Sequence, residues 1–245
     1  MTDDARRDTL IRAKGYPYDL PKGSYILYQG EPVSFRGRQI DMDGRVPVLS
    51  YGSNASPQQL KRKFPNEPED RPILVAKTVL KDFDVVYSAH FTSYGALPAT
   101  LVPSEGTRLS TFVLWLLPVQ LEALHATELG NYDFGRLRGL MTLVDGGGVM
   151  KELFLYRSRA GALTRNGEAV ALAEVPAEGR KLTALGQEAM LEAARQELAP
   201  TQALDDFIVE IARNESARDI YRKQLGATAL KPKLPRWAKL LPETK

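Results

Sequence analysis

The chain has 245 residues, 43% of them hydrophobic and 26% charged, with a net charge of +3 and no cysteine. That length and balance suit a soluble globular protein of one large domain or two small ones, with a core that needs no staple. The missing cysteines exclude a disulfide framework, a cysteine nucleophile and a thiolate-bound metal.

The pI of about 9.0 would suit a nucleic-acid partner, but the charge is unevenly spread. Lys231, Lys233, Arg236, Lys239 and Lys245 face one acid, Glu243, in the last fifteen residues. The rest of the chain is nearly neutral. No basic patch on the fold is therefore expected, and nucleic acid is not an expected partner. No apolar run approaches the ~18 residues of a membrane span, so no membrane partner is expected either. The N-terminal MTDDARRDTLIRAKG is charged and lacks the apolar stretch of a signal peptide, which favours the cytoplasm.

Residues 1–45 have no sustained period. Tyr16, Pro17, Tyr18, Pro21 and Gly23 make a turn-rich aromatic segment. It is expected to wrap over the domain with one short strand near 25–28; a flexible arm is the alternative.

The most informative stretch is 46–64, VPVLSYGSNASPQQLKRKF. Val46, Val48 and Leu49 suit a buried strand. Gly52 allows a sharp turn and close approach to the backbone. Ser56 suits a helix N-cap, Pro57 the first helical position, and Gln59 a capping box with Ser56. Leu60 and Phe64 share one helical face, and Pro65 ends the helix. Such a loop aims backbone N–H groups and a positive helix end at one point, a cradle for an anion or a polarised carbonyl. An ordinary strand-to-helix turn is the alternative.

After a polar loop at 66–72, strands are expected at 73–80 and 83–88, broken near Lys81-Asp82. Residues 90–106 read as a loop with a short strand at 99–102. LSTFVLWLL (109–117) reads as a buried strand, and Pro118 as the start of a helix ending near Glu128-Leu129-Gly130, with Gly130 as a left-handed cap. Residues 137–144 and 149–156 read as a hairpin closed by Asp145-Gly146-Gly147-Gly148. Helices are expected at 183–199 and 201–225, separated by Pro200; Leu204, Phe207, Ile208, Ile211, Ile220, Tyr221 and Leu225 favour one face of the second.

Glu128 is the first candidate for chemistry. A carboxylate at a helix C-terminus opposes the helix dipole, and partial burial would fit it for general acid–base work; a solvent-exposed helix-end glutamate is the alternative. His90 and His125 are the two histidines. His125 and Glu128 share a helical face, but a metal needs more ligands than these. Ser53 lacks the surroundings of a nucleophile elbow, and neither phosphate-loop nor dinucleotide glycine spacing occurs. Tyr94, Tyr132 and Tyr156 are possible pocket residues. Arg136 and Arg138 alternate on a strand, where a solvated face is the simpler reading.

Five segments in order resemble the γ-glutamylcyclotransferase-like superfamily: VLSYGSNASPQQL, LKDFDVVYS, PATLVPSEGTRLSTFVLWL, QLEALHATELGNYDF and RLRGLMTLVDGGGVMKELFLY. Together they span about half the chain, from 46 to 156. The resemblance implies an α+β fold, a small mixed β-barrel with flanking helices, to which this chain adds a C-terminal helical hairpin. It implies an amide-cyclising acyltransferase or lyase. Such an enzyme turns a γ-glutamyl amide into 5-oxoproline and a free amine, with no cofactor and a small-molecule partner.

Carried over by position, Tyr51, Gly52, Ser53 and Asn54 line the carbonyl pocket and Glu128 is the acid–base residue; Tyr132, four residues after Glu128, is a further substrate-binding candidate. A non-catalytic module that keeps the YGSN pocket for a small carboxylate or amide is the alternative. Two positions depart from the pattern: Ala55 where Leu is common, and Glu-Leu-Gly where Glu-Gly is usual. The expected layout is an arm at 1–45, the domain at 46–180, a helical extension at 181–230 and a basic tail at 231–245.

Overall fold

A computed structural model describes residues 2–35, 40–65, 68, 70–144 and 148–240. Its centre is a long antiparallel hairpin of β4 (Ile73–Tyr87) and β5 (Ala99–Leu116), preceded by β1 (Tyr25–Tyr28), β2 (Glu31–Ser34) and β3 (Val46–Ser50). A second hairpin, β6 (Tyr132–Val144) and β7 (Gly148–Ser158), follows. β3 lies between the two, antiparallel to β5 and parallel to β7, which makes the sheet mixed. The connection at 145–147, on which the DGGG turn was expected, lies outside the described residues.

The two hairpins also pair directly, among the described residues through Thr78–Val144 and Val79–Leu143 alone. The sheet therefore curls on itself without closing into the barrel wall the resemblance implied. The fold is α+β around one large mixed sheet.

Residues 73–88 and 99–116 each contain a punctuation that reads locally as a break. In the fold each is one strand with an irregularity. Lys81 pairs with Arg108 and Phe83 with Pro103, so Asp82 alone stands opposite residues 104–107. Asp82 takes a left-handed conformation (φ 65°), and its carboxylate accepts the Gly106 N–H at 2.9 Å. The bulge absorbs the extra residues and lets the pairing resume.

The two largest buried apolar clusters take alternate residues of these strands, Val48 against Leu49 and Leu114 against Val113. One gathers Val48, Leu60, Phe64, Val75, Leu114, Leu116 and Leu124. It holds the 3-10 turn Ser53–Ala55 and the helices α2 (Pro57–Lys63) and α3 (Pro118–Glu128). Each fully buried leucine there contributes about 1.5–3 kcal/mol of transfer free energy. The other gathers Leu80, Phe83, Tyr87, Leu101, Val113 and Leu153 with Phe207, Ile208, Ile211 and Leu225.

Between the second hairpin and the C-terminal helices the chain makes short strands. They are β8 (Thr164–Arg165), β9 (Glu168–Ala169), β10 (Ala171–Leu172), β11 (Ala177–Glu178) and β12 (Ala184–Leu185). The Asp84 carboxylate, fully buried in β4, is clasped there by Arg180 at 2.8–3.1 Å.

Three local expectations are corrected. Residues 1–45 do not lack regular structure: α1 spans Asp3–Lys14, capped by the Thr2 hydroxyl. Its one buried residue, Ala13, leaves almost no apolar stripe to read. The C-terminal hairpin is three helices: α4 (Gln187–Leu198), α5 (Leu204–Arg213) and α6 (Glu215–Ala227). Asn214 breaks the expected 201–225 helix because its extended backbone and its side chain, accepting the Ala217 N–H at 3.1 Å, start a new one. Ile220 consequently leaves the apolar face and is exposed.

The described part of the basic tail is not free either. β13 (Trp237–Lys239) pairs with Gly135–Leu137 of β6, and Trp237 lies so close over Gly135 that a Cβ there would meet its ring at 2.4 Å. Among the described residues no helix is long and apolar enough to cross a membrane.

Candidate functional site

The strand–loop–helix unit delivers one wall of the site. β3 ends at Ser50, Tyr51 and Gly52 turn the chain, and Ser53–Ala55 form the 3-10 turn that leads to α2. Gly52 has a negative φ (−141°) and is not left-handed, so its lack of a side chain answers to space. A Cβ there would lie 2.6 Å from the Tyr16 hydroxyl. The close approach that the glycine permits is thus made by a tyrosine of the N-terminal segment.

The expected capping box at Ser56 does not form. Ser56 makes no side-chain cap, and its buried hydroxyl has no partner among the described residues. The Gln59 side chain instead lines the cleft, where its oxygen stands 3.5 Å from an Arg62 nitrogen.

α3 delivers the opposing carboxylate. Gln120 accepts the Leu117 N–H at 2.8 Å and starts the helix; Glu128 is its last residue. Gly130 does not adopt the left-handed cap expected of it: the helix ends through Leu129 in a right-handed conformation (φ −66°). The Glu-Leu-Gly sequence nevertheless carries Glu128 to the loop. Its Oε1 accepts from Asn54 Nδ2 at 3.1 Å and forms an ion pair with Lys63 of α2. The Glu128 and Lys63 side chains are only 14% and 10% exposed, so the pair is largely removed from water. The Asn54 Oδ1 is buried with no partner among the described residues.

These groups line a cleft of about 820 Å³, which also receives Tyr51, Gly52, Ser53 and Tyr132. The structure therefore brings Glu128, Tyr51, Gly52, Ser53, Asn54 and Tyr132 to one cavity. The tyrosines serve as its frame. Tyr51 donates to the Tyr156 carbonyl. Tyr132 donates to the Ala99 carbonyl at 3.0 Å, and the Tyr16 hydroxyl accepts the Ala99 N–H at 2.9 Å, so Ala99 at the start of β5 is gripped from both sides. Burial pushes the phenols of Tyr16, Tyr51, Tyr94, Tyr132 and Tyr156 upward, so all stay neutral.

Tyr94 and Tyr156 line the cleft as expected of pocket residues. His125 turns from it toward the Tyr156 hydroxyl, 2.7 Å from its Nδ1. Arg136 and Arg138 reach Glu152 of β7 at 3.7 and 2.7 Å, on a strand face away from the cleft.

Sequence reasoning missed several lining residues. Lys63 was one basic residue in the run LKRKF. Its spacing of four from Gln59 puts both on one side of α2, a signal that was present but unread. Arg12 enters from α1. Glu215, Arg218, Asp219 and Arg222 enter from α6 at spacings of three, four and seven.

A carboxylate beside an amide side chain and a lysine, facing a cavity ringed by neutral phenols, can take and return a proton while donors hold a carbonyl or carboxylate. No protein-family model matches this chain, and no curated protein sequence matches it. Among solved structures it is similar to a gamma-glutamyl cyclotransferase, with 17% identity over 73% of this chain and 99% of that one and a TM-score of 0.37. It is similar to At5g39720.1 from Arabidopsis thaliana, with 21% identity over 49% of this chain and 72% of that one and a TM-score of 0.37. An uncharacterised protein from Homo sapiens, loc79017, matches at 14% identity over 82% and 96% of the two chains, with a TM-score of 0.38. At such identity and overlap these likenesses assign no activity to this chain.

Proposed function

We propose that the protein is a γ-glutamylcyclotransferase-like enzyme that releases 5-oxoproline and a free amine from a small γ-glutamyl amide. The carrying observation is the meeting of Glu128 with the YGSN loop, Oε1 to Asn54 Nδ2 at 3.1 Å, inside a cleft large enough for such a substrate.

In this reading the substrate's own α-amine is the nucleophile, so the protein's work is placement and proton transfer. The Tyr51–Asn54 loop holds the γ-carbonyl, with Tyr132 behind it. Glu128 accepts a proton from the attacking amine as the ring C–N bond forms, and returns it to the departing amine as the amide C–N bond breaks. The atoms balance without water or any external reactant. The buried Asn54 Oδ1 is an acceptor placed to meet a substrate N–H.

One observation favours a second reading. The Lys63 ammonium already occupies Glu128 Oε1, as it would in a non-catalytic module that uses the pair only to bind a small carboxylate or amide. The two readings part on one measurement. The enzyme releases 5-oxoproline from a panel of γ-glutamyl amides, and Glu128→Gln abolishes the release while the protein stays folded. The binding module takes up the same amides and leaves them intact.

A further inference from the structure

The cleft has an end that the chemistry at Glu128 does not use. His90 lies there, in the segment between β4 and β5. It is only 2% exposed, with its ring edge-on to Tyr132 at 5.6 Å. Its Nδ1 stands 2.8 Å from the Ser88 hydroxyl, which stands 2.6 Å from the Ser158 hydroxyl.

Ser158 Oγ also accepts the Ala160 N–H at 3.1 Å. With Ser158 donating to Ser88 and Ser88 to His90 Nδ1, the imidazole carries its hydrogen on Nε2, the tautomer that an anion in the cleft would select. Among the described residues nothing accepts from Nε2. Burial first, and then the charge of Arg222, lower the His90 pKa to about 4, so the ring is a neutral donor at physiological pH.

Arg222 comes from α6. Its one ion pair among the described residues, to Asp219 at 3.3 Å, joins side chains 48% and 50% exposed, a pairing that contributes little and yields readily. Arg218 is occupied, donating to the Ile211 carbonyl at 2.8 Å. Arg12 from α1 lies over the Tyr94 ring at 4.0 Å with its buried Nε unpartnered among the described residues. Three arginines thus outnumber Glu215 and Asp219 on these elements, all outside the stretch that carries the family resemblance.

We propose that this end of the cleft is an anion subsite, in which His90 Nε2–H and the Arg222 guanidinium hold a carboxylate on the amine half of the substrate. The inference rests on the cyclotransferase reading for what the substrate is, and on His90, Arg222 and α6 for where its far end goes. A neutral donor beside a cation suits a carboxylate, which accepts from both without a second charge to desolvate.

The test compares γ-glutamylglycine with γ-glutamylglycinamide, which differ only in a terminal carboxylate against a carboxamide. Calorimetric binding is measured on the full chain carrying Glu128→Gln, and turnover on the chain without it. The carboxylate ligand binds about 10-fold tighter, and Arg222→Gln, on an exposed helix face, removes most of that ratio. His90→Phe, checked by circular dichroism, reduces it as well. If neither amide turns over but the Arg222-dependent binding ratio is present, the subsite stands and the cyclotransferase reading falls. Equal binding of the two amides, binding of neither, or a preference that Arg222→Gln leaves intact overturns the subsite.

Discussion

The two ends of the cleft are built on different principles. At one end Glu128, Lys63 and Asn54 interlock, with Glu128 and Lys63 almost out of water, on elements that pack into one continuous apolar core. At the other, α6 presents a stripe of half-exposed charges whose pairing is loose. A buried ion pair fixes its members, because either one left alone would be a desolvated charge. A surface pair fixes almost nothing. The first arrangement suits a reacting group that must sit in one place; the second suits recognition of a variable end. The contrast assigns chemistry to the interlocked end and selection to the loose one, and each half can be broken separately.

The largest effect is expected where the lock and the chemistry coincide. Glu128→Gln keeps the shape and the Asn54 contact but removes the proton acceptor. It should lower kcat by about 10³-fold, with little change in KM. Far-UV circular dichroism should show a folded chain, with stability lowered by about 3 kcal/mol because the Lys63 ammonium loses its charged partner. A variant that retains a tenth of the wild-type kcat would move the acid–base role elsewhere.

Next comes the lock itself. Lys63→Met leaves the Glu128 carboxylate paired only with an amide and should cost about 3 kcal/mol of stability by denaturant unfolding. The double variant with Glu128→Gln should recover most of that loss, since neither group is then a stranded charge. If the single and double variants are equally unstable, Lys63 acts through packing and the contrast between the two ends weakens.

His90 sits at the boundary between the ends and should show itself in pH dependence. The unfolded chain protonates this imidazole near its ordinary 6.5, the folded chain near 4. Between those values the unfolded state binds more protons, so this contribution to stability is full above 6.5 and is lost as pH falls toward 4. From pH 7 to pH 5 the wild type should therefore lose about 2 kcal/mol more than His90→Asn, which has no titrating ring. Equal losses would mean that the ring takes up a proton in the fold, and with it the neutral donor facing the cleft would be gone.

How much of this was legible follows from where the signals lay. β1, the strand–loop–helix unit and the start of α3 were readable because local residues decide them: Val46, Val48 and Leu49 as the strand, Pro57 and Pro118 at first helical positions. Glu128 was readable as a candidate from its place at a helix end, and the family resemblance gave it a role; its contact with Asn54 depends on the 3-10 turn and α3 meeting over one core.

α1 was not readable. It is held by Lys14 to Glu188 and Asp205 at 2.9 and 2.8 Å and by Arg6 to Asp206 at 2.7 Å, partners some 200 positions away, and almost no apolar stripe marks it. The bulge opposite Asp82 looked like two breaks because Asp82 and Gly106 are each turn residues locally; only their bond to each other restores the strands. The α6 charges, spaced at three, four and seven from Glu215, were not read as a stripe. The bend of α6 toward the cleft depends on the helix break at Asn214, which an apolar pattern running through that position concealed.

The smallest predicted effect tests the loose end. Asp219 is half exposed and pairs with Arg222 at 3.3 Å, so Asp219→Asn should change unfolding stability by no more than about 0.5 kcal/mol. The substitution also releases Arg222 from its ion pair. If the subsite exists, the preference for the carboxylate amide over the carboxamide should rise by about 2- to 3-fold, while kcat on the carboxamide stays unchanged. A small cost in stability joined to a sharper preference is the signature of a charge held for a ligand and not for the fold. A loss of 2 kcal/mol or more would mark Asp219–Arg222 as a structural pair, and α6 would then be as rigid as the wall that carries Glu128.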